Sequence, residues 1–218
     1  MEIKELLAHA SNYSKGRHET IKFLVLHYTA NNGDTALSNC KYFSSANRNA
    51  SAHYFVDENE VYRSVRDMNV AWHCGSLNGY KHKYCRNTNS IGIEMCSRID
   101  SNGKFYIKEE TIANAIELTK FLMEKYDIPV ENVIRHYDVT GKMCPRPFVE
   151  DEKLWLDFKE RLVEEVKRYN TIDEVPEWGK ATIQLMIKKG VFADVKNLNL
   201  SEDMIRMFVF NNRMGMYK

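Results

Sequence analysis

Short runs of apolar residues, bounded by polar ones, mark three buried β-strands along the chain. They lie in TIKFLVLHYTA, SIGIEMC and ENVIRHYD, and cover residues 21–27, residues 90–96 and a stretch that ends at His136. Continuous apolar runs of this length are typical of strands that are covered on both faces. A further segment, AHYFVDENEVYRSV, contains two short strands around a polar turn at residues 57–59, which predicts a β-hairpin.

Between these strands, the spacing of apolar residues predicts helices. The clearest spans Lys108–Tyr126, where apolar residues recur every three or four positions, and a second amphipathic helix spans Glu150–Tyr169. Residues 35–47 also suit a helix, and a short one is predicted over Glu2–Ala10. Strands that alternate with helices indicate an α/β domain, which we expect to end near residue 169.

Composition excludes several classes of protein. The 218 residues include 31 basic and 30 acidic side chains, and this balance argues against a dedicated nucleic-acid binder. No apolar run approaches the roughly 20 residues that a membrane span needs, and the N-terminus does not resemble a secretory signal. We therefore expect synthesis in the cytoplasm, no membrane insertion and no nucleic-acid partner. The five cysteines are odd in number and irregularly spaced, so we expect reduced thiols rather than a disulfide framework.

Two histidines and one cysteine form a candidate metal site. His27 closes the first predicted strand, His136 closes the last, and Cys144 follows on the next loop. The carboxyl ends of strands in an open α/β sheet line a shared crevice, so these side chains should converge. Three protein ligands with one open position are typical of catalytic zinc. Taken singly, each histidine suits a hydrogen-bonded core position and the cysteine a small buried apolar one.

At this point the sequence resembles the zinc-dependent N-acetylmuramoyl-L-alanine amidases, which are related to phage lysozyme amidases and animal peptidoglycan recognition proteins. The resemblance covers roughly residues 20–165 and rests on LHYTA, SAHYFVD, AWHCG, SIGIEMC and RHYDVTGKMCP, in the family's order. It implies a mixed central β-sheet flanked by helices. It also implies zinc bound by His27, His136 and Cys144, and cleavage of the amide between the lactyl group of muramic acid and L-alanine.

Two further residues are candidates for catalysis. Glu94 lies in an apolar strand, where a carboxylate is costly to bury unless it faces a cleft or has a partner. The resemblance assigns the acid/base role to Glu94, and to Lys142 a hydrogen bond to the developing oxyanion; the alternatives are an ion-paired glutamate and a solvated lysine. Some family members use a tyrosine where this chain has Ala52, which shifts the catalytic role towards Glu94.

The motifs SAHYFVD and AWHCG are predicted to line a substrate groove. His53, Trp72 and His73 are the candidate groove residues, and core packing is the alternative for each. Asp138 suits two roles equally, either orienting a ligand histidine or capping a turn.

The predicted function is that of a lytic amidase, a phage or prophage endolysin that is stored in the cytoplasm and acts on peptidoglycan after release at lysis. A cytosolic amidase that recycles wall fragments is one alternative. A non-catalytic peptidoglycan receptor is another, but such receptors typically lack the cysteine ligand, which is present here as Cys144. A zinc nucleobase deaminase is excluded because it needs His-x-Glu and Pro-Cys-x-x-Cys.

Beyond the α/β domain, taken as residues 1–169, the pattern changes to a small helical C-terminal module over residues 171–218. Two helices are predicted at about Glu177–Lys189 and Ser201–Asn212. The elements Trp-Gly-Lys-Ala, Gly-Val-Phe and Leu-Ser-Glu resemble one S-layer-homology-type motif, which implies targeting to the cell wall. The alternative is a surface through which the chain forms a homodimer.

Overall fold

The computed structural model describes residues 2–75, 79–163 and 167–217, and the chain divides into two units, residues 1–163 and 164–218. A six-stranded sheet forms the centre of the first unit. In spatial order its strands are β1 (Ile3–Glu5), β5 (Val61–Arg63), β4 (Tyr54–Val56), β7 (Ser90–Met95), β3 (Phe23–Tyr28) and β10 (Val133–Arg135). The β4–β5 hairpin is antiparallel and every other neighbouring pair is parallel, which confirms the predicted mixed sheet.

Two small ribbons and five α-helices complete the described part of the first unit. The ribbons pair β2 (Tyr13–Ser14) with β6 (Val70–Ala71), and β8 (Arg98–Ile99) with β9 (Phe105–Tyr106). The helices are α1 (Ala36–Phe43), α2 (Glu109–Tyr126), α3 (His136–Thr140), α4 (Arg146–Glu150) and α5 (Glu152–Leu162). The confirmed α/β architecture therefore has its longest helix where the apolar spacing is clearest.

The two faces of the sheet have different roles. Alternate residues of a strand point to opposite faces. In β3, Leu24 and Leu26 enter the main core with residues of α2 and α5, whereas Phe23 and Val25 pack in a separate cluster on the other face. His27 follows the same alternation as Phe23 and Val25. The candidate metal site therefore lies on the face of the sheet opposite α2 and α5.

The N-terminal segment differs from its prediction. Instead of a helix over Glu2–Ala10, residues Ile3–Glu5 form a parallel edge strand beside Val61–Arg63. The predicted helix was wrong because pairing with an exposed sheet edge satisfies backbone groups, and Ile3 packs against the main core. A weak local preference is readily overridden by such tertiary pairing.

The end of the first unit also differs from its prediction. The helix expected over Glu150–Tyr169 corresponds to α5, which begins at Glu152 and ends at Leu162, whereas Glu150 is the last residue of α4. Residues 164–166, which belong to the predicted helix, lie outside the described residues. Tyr169 forms a β-bridge with Leu200 and is buried in the core of the second unit. The two units therefore divide earlier than residue 169.

The second unit contains the two helices that the sequence predicts, α6 (Glu177–Lys188) and α7 (Glu202–Arg213). It has a hydrophobic core of its own, formed by Tyr169, Val175, Ile183, Met186, Leu198, Leu200, Ile205 and Val209. Across the described part of the chain, no helix has the length and apolar character needed to cross a membrane.

Candidate metal centre and active site

Three buried side chains converge on one point of the first unit. Each of His27, His136 and Cys144 offers one ligand atom, and these atoms lie within 4.8 Å of one another. His27 Nδ1 is 3.7 Å from Cys144 Sγ, and both ring nitrogens of His136 are buried without a hydrogen-bond partner. Buried polar atoms normally have hydrogen-bond partners, so the unpaired imidazole of His136 indicates a binding position for a ligand. Two imidazoles and a thiol suit a metal ion.

The strand-to-helix junction at Arg135 positions His136. The sequence predicts that His136 ends a strand, but it is the first residue of α3. Asp138 Oδ2 accepts a hydrogen bond from the Arg135 backbone N–H at 2.8 Å, and its carboxylate also pairs with the Arg135 guanidinium. Asp138 therefore caps the start of this helix, which is one of the two roles that its sequence position suggested.

A tight return of the chain brings Cys144 to the histidines. The helix α3 ends at Thr140 and is capped by Gly141, whose φ of 84° lies in the left-handed region that favours glycine. The chain then folds back, and the Tyr137 N–H donates to the Cys144 carbonyl at 2.8 Å. This return places the thiol beside the imidazole that begins the helix.

Burial controls the charge of all three side chains. It lowers the pKa of His27 well below its usual value and lowers the pKa of His136 to about 3. It raises the pKa of the Cys144 thiol to about 12, with a further contribution from the charge of Glu94. Both imidazoles are therefore neutral near pH 7, as metal ligands must be. A bound cation would favour the thiolate, so metal binding should release a proton.

Glu94 lies at the same cavity with an unsatisfied carboxylate. It sits opposite His27 in the sheet register, and its Oε2 is buried without a hydrogen-bond partner. Burial raises the pKa of Glu94 to about 8; Asp34 adds to this increase and Lys142 opposes it. A carboxyl group with a pKa near neutrality, next to a candidate metal centre, is suited to transfer protons.

A larger groove adjoins the cavity at the metal centre. The cavity has a volume of about 130 Å³, and the groove has a volume of about 520 Å³. Both are bounded by Phe43, Phe55 and Glu94. The other cavity residues are His27, Tyr28, Ala50, Ser51, Ala52, Trp72, His73, His136, Lys142 and Cys144. The structure therefore brings the predicted Lys142, Trp72 and His73 to the cavity, together with Ala52.

His53 occupies a different environment from its predicted groove position. Its side chain is fully buried, its Nδ1 accepts the Gly92 N–H at 3.0 Å, and its Nε2 lies 2.9 Å from the Arg17 guanidinium. Burial and the nearby positive charge of Arg17 both lower the pKa of His53. The structure thus gives His53 the core position that the sequence left as the alternative.

Sequence reasoning missed three residues that support the site. Asn87 Oδ1 accepts the backbone N–H groups of His73 and Cys74, at 3.2 and 2.8 Å. Ser90 and Gly92 alternate with apolar residues along β7, on the same face as Glu94. The alternation of small or polar residues with large ones in SIGIEM was the available signal, because it assigns Ser90, Gly92 and Glu94 to one face.

The comparison with known protein families gives the chain a place among them. A family model described as N-acetylmuramoyl-L-alanine amidase matches residues 17–147, a range that contains His27, Glu94, His136 and Cys144. The chain belongs to the N-acetylmuramoyl-L-alanine amidase family. The family match ends within the first unit and does not extend to α6 or α7.

Individual amidases and solved structures agree with this assignment. A probable N-acetylmuramoyl-L-alanine amidase of Bacillus licheniformis is 38% identical over 149 residues, which are 65% of this chain and 41% of the relative. The catalytic domain of XlyA is 29% identical with a TM-score of 0.62, covering 75% of this chain and all of that domain. A mutant endolysin from Bacillus subtilis is 30% identical with a TM-score of 0.62, covering 75% and 99%. The chain thus spans about 41% of the curated relative, but nearly all of these two solved chains.

Proposed function

We propose that this protein hydrolyses the amide bond between N-acetylmuramic acid and L-alanine in bacterial peptidoglycan, with one zinc ion held by His27, His136 and Cys144. The observation that carries the proposal is the buried, unpartnered imidazole of His136 beside two further ligand atoms within 4.8 Å. Membership of the amidase family supplies the substrate class.

The chemistry divides between the ion and the protein. When bound, zinc supplies Lewis acidity and lowers the pKa of water towards neutrality. Glu94 would take the proton of the attacking water and pass it to the leaving L-alanine nitrogen, a role supported by its unpartnered oxygen in the cavity. The Lys142 ammonium would hydrogen-bond the developing oxyanion, which its position in the cavity lining supports.

The test is to digest purified peptidoglycan with the protein and to identify the new chemical ends. We expect new L-alanine amino termini without new reducing sugars, loss of cleavage with a chelator, and recovery with added zinc. New reducing sugars would instead indicate a glycosidase. Binding to peptidoglycan without any cleavage would favour the receptor of the same fold.

The ligand assignment is tested with a matched pair of cysteine variants. Cys144→Ala should lose stoichiometric zinc, whereas Cys40→Ala removes an equally buried thiol from another cluster and should keep it. Full zinc content in Cys144→Ala would overturn the proposed ligand set.

We also infer that the protein is a phage or prophage endolysin, which the similarity to an endolysin structure supports. In that case the second unit would bind the wall or form a homodimer. Protein added to whole cells of a susceptible bacterium should reduce their turbidity, and Glu94→Gln should not. Cleavage of small soluble wall fragments, with whole cells left intact, would favour the recycling amidase.

A further inference from the structure

A continuous chain of hydrogen bonds runs from the candidate metal centre into the sheet. His27 Nε2 lies 3.0 Å from His73 Nδ1, and His73 Nε2 lies 3.1 Å from Ser90 Oγ. The Ser90 hydroxyl in turn donates to the Arg86 carbonyl oxygen at 2.7 Å. His27, His73 and Ser90 are all buried, so water does not compete for these groups.

The Arg86 carbonyl, at the end of this series of hydrogen bonds, determines the direction of each hydrogen bond in the series. Because a carbonyl oxygen only accepts, the Ser90 hydroxyl proton is committed to Arg86, and Ser90 Oγ must accept the Nε2–H of His73. A His73 ring with one proton then has a free lone pair on Nδ1, which must accept the Nε2–H of His27. The Nδ1 lone pair of His27 is consequently left facing the Cys144 sulfur at 3.7 Å.

The fold makes room for this arrangement at Gly92. A Cβ added to Gly92 would lie 2.5 Å from Cγ and 2.7 Å from Nδ1 of His73, closer than any side chain tolerates. The His73 ring therefore occupies the space that any other residue at position 92 would fill. The backbone of His73 is held at the same time by Asn87, whose Oδ1 accepts the His73 N–H.

We propose that His73 and Ser90 are positioning residues that set the tautomer and ring orientation of His27, so that its Nδ1 lone pair is directed at the metal. This inference rests on the metal centre of the proposed function. Groups that hold the second nitrogen of a ligand histidine are known to contribute to metal affinity. Here the group is a second histidine, and its own partner is a serine whose proton has a fixed destination.

The tautomer is measured directly by two-bond ¹H–¹⁵N correlation spectra of histidine rings in the metal-free full-length protein. We expect His27 to carry its proton on Nε2 and to lack one on Nδ1, and His73 to show the same pattern. A proton on Nδ1 of His27 would overturn the inference, whether or not the protein cleaves peptidoglycan.

A pair of His73 variants tests the consequence for metal binding. His73→Asn keeps an acceptor near the position of Nδ1, whereas His73→Leu removes it. We expect His73→Leu to weaken the apparent zinc affinity by about 10–100-fold, measured in competition with a chelator. The Nδ1-protonated form of His27 should become detectable in this variant. His73→Asn should recover most of the lost affinity. Equal zinc affinity in the parent and His73→Leu would overturn the role of His73.

The control for Ser90 is an equally buried serine that takes no part in the series of hydrogen bonds from His27 to Arg86. Ser90→Ala removes the acceptor of His73 and should weaken zinc binding, whereas Ser64→Ala, also fully buried, should not. Equal effects of the two substitutions would show that Ser90 acts only through packing, and would overturn its role. A parent protein with the expected tautomer that binds zinc but cleaves no peptidoglycan would refute the proposed activity and leave the positioning chain intact.

Discussion

At the scale of single residues, Glu94 has an environment that conflicts with its charge. Burial raises its pKa to about 8, so near pH 7 the carboxyl group is largely protonated. A general base must be ionised, and a nearby cation would favour that form. The positive charge that the three ligands are suited to hold would therefore also prepare Glu94 to accept a proton.

The raised pKa of Glu94 makes the stability of the metal-free protein dependent on pH. Between its ordinary value of 4.5 and about 8, the folded state holds one more proton than the unfolded state. The free energy of unfolding should therefore fall as the pH rises, by about 1–2 kcal/mol between pH 6.5 and 8 from this group. Urea denaturation at both pH values would measure the change. Glu94→Gln should show a smaller decline, and equal declines in the parent and the variant would exclude the effect.

The same substitution should separate catalysis from metal binding. Glu94→Gln keeps the size of the side chain but cannot take a proton from water. We expect it to retain zinc and to cleave peptidoglycan about 10²–10⁴-fold more slowly. Metal content and the rate of release of L-alanine termini would be measured on the same preparation. A variant that cleaves at nearly the parent rate would show that another group is the base.

At the scale of elements, one arginine connects residues 67–69 with residues 87–90, two segments that flank His73 in the sequence. The Arg17 guanidinium donates to the carbonyl oxygens of Asp67 and Asn69, which precede β6, at 3.0 and 2.8 Å. It also donates to the carbonyl oxygens of Asn87, Thr88 and Ser90, at 3.2, 2.5 and 3.1 Å. Partly buried carbonyls without a donor are costly, so Arg17 stabilises the contact between these two segments.

Arg17→Met would keep a long side chain and remove the five hydrogen bonds to backbone carbonyl oxygens, together with the contact to His53 Nε2. We expect the free energy of unfolding to fall by about 3 kcal/mol, because several partly buried acceptors lose a charged donor together. Urea denaturation would measure this change. The control is Arg66→Met, since Arg66 is half-exposed and pairs with Glu5 at the surface. A loss in Arg17→Met no greater than in the control would contradict the assigned role.

At the scale of the whole molecule, each unit has its own hydrophobic core. The main core of the first unit combines sheet residues with α2 and α5, and the second unit encloses a cluster around Ile183, Leu200 and Ile205. The candidate ligands and Glu94 all belong to the first unit. Nothing in the chemistry proposed for the site requires a residue of the second unit.

A chain that ends at Val163 should therefore fold and cleave a small soluble muropeptide at nearly the rate of the full chain. Lysis of whole cells should be slower, because a unit that binds the wall or forms a dimer raises the local concentration of the enzyme at its substrate. Ending the chain at Val163 also excludes Tyr169, a core residue of the removed unit.

Circular dichroism and the two cleavage assays, run beside the full chain, would test both parts of this expectation. An insoluble or unfolded product would show that the first unit depends on the second. Undiminished lysis of whole cells would refute a targeting role for residues 171–218.

Much of the fold could be predicted from the sequence because local periodicity reports burial. Apolar runs and helical spacing predicted β3, β7, the β4–β5 hairpin, α2, α6 and α7. The N-terminal edge strand could not be predicted in this way, since Ile3–Glu5 pairs with residues almost sixty positions away. A segment of three residues has no period of its own, and only its partner determines its conformation.

The sequence by itself determined which residues could bind a metal, because His27, His136 and Cys144 are recognisable from their types and from their places beside strands. The resemblance to amidases added the catalytic roles of Glu94 and Lys142. Only the tertiary structure decided that His53 belongs to the core and that His73 faces His27. His73 is 46 positions from His27 and 17 from Ser90, and both contacts cross between separate elements. Residue type defines which hydrogen bonds a side chain can form, whereas packing of distant segments defines which of them it does form.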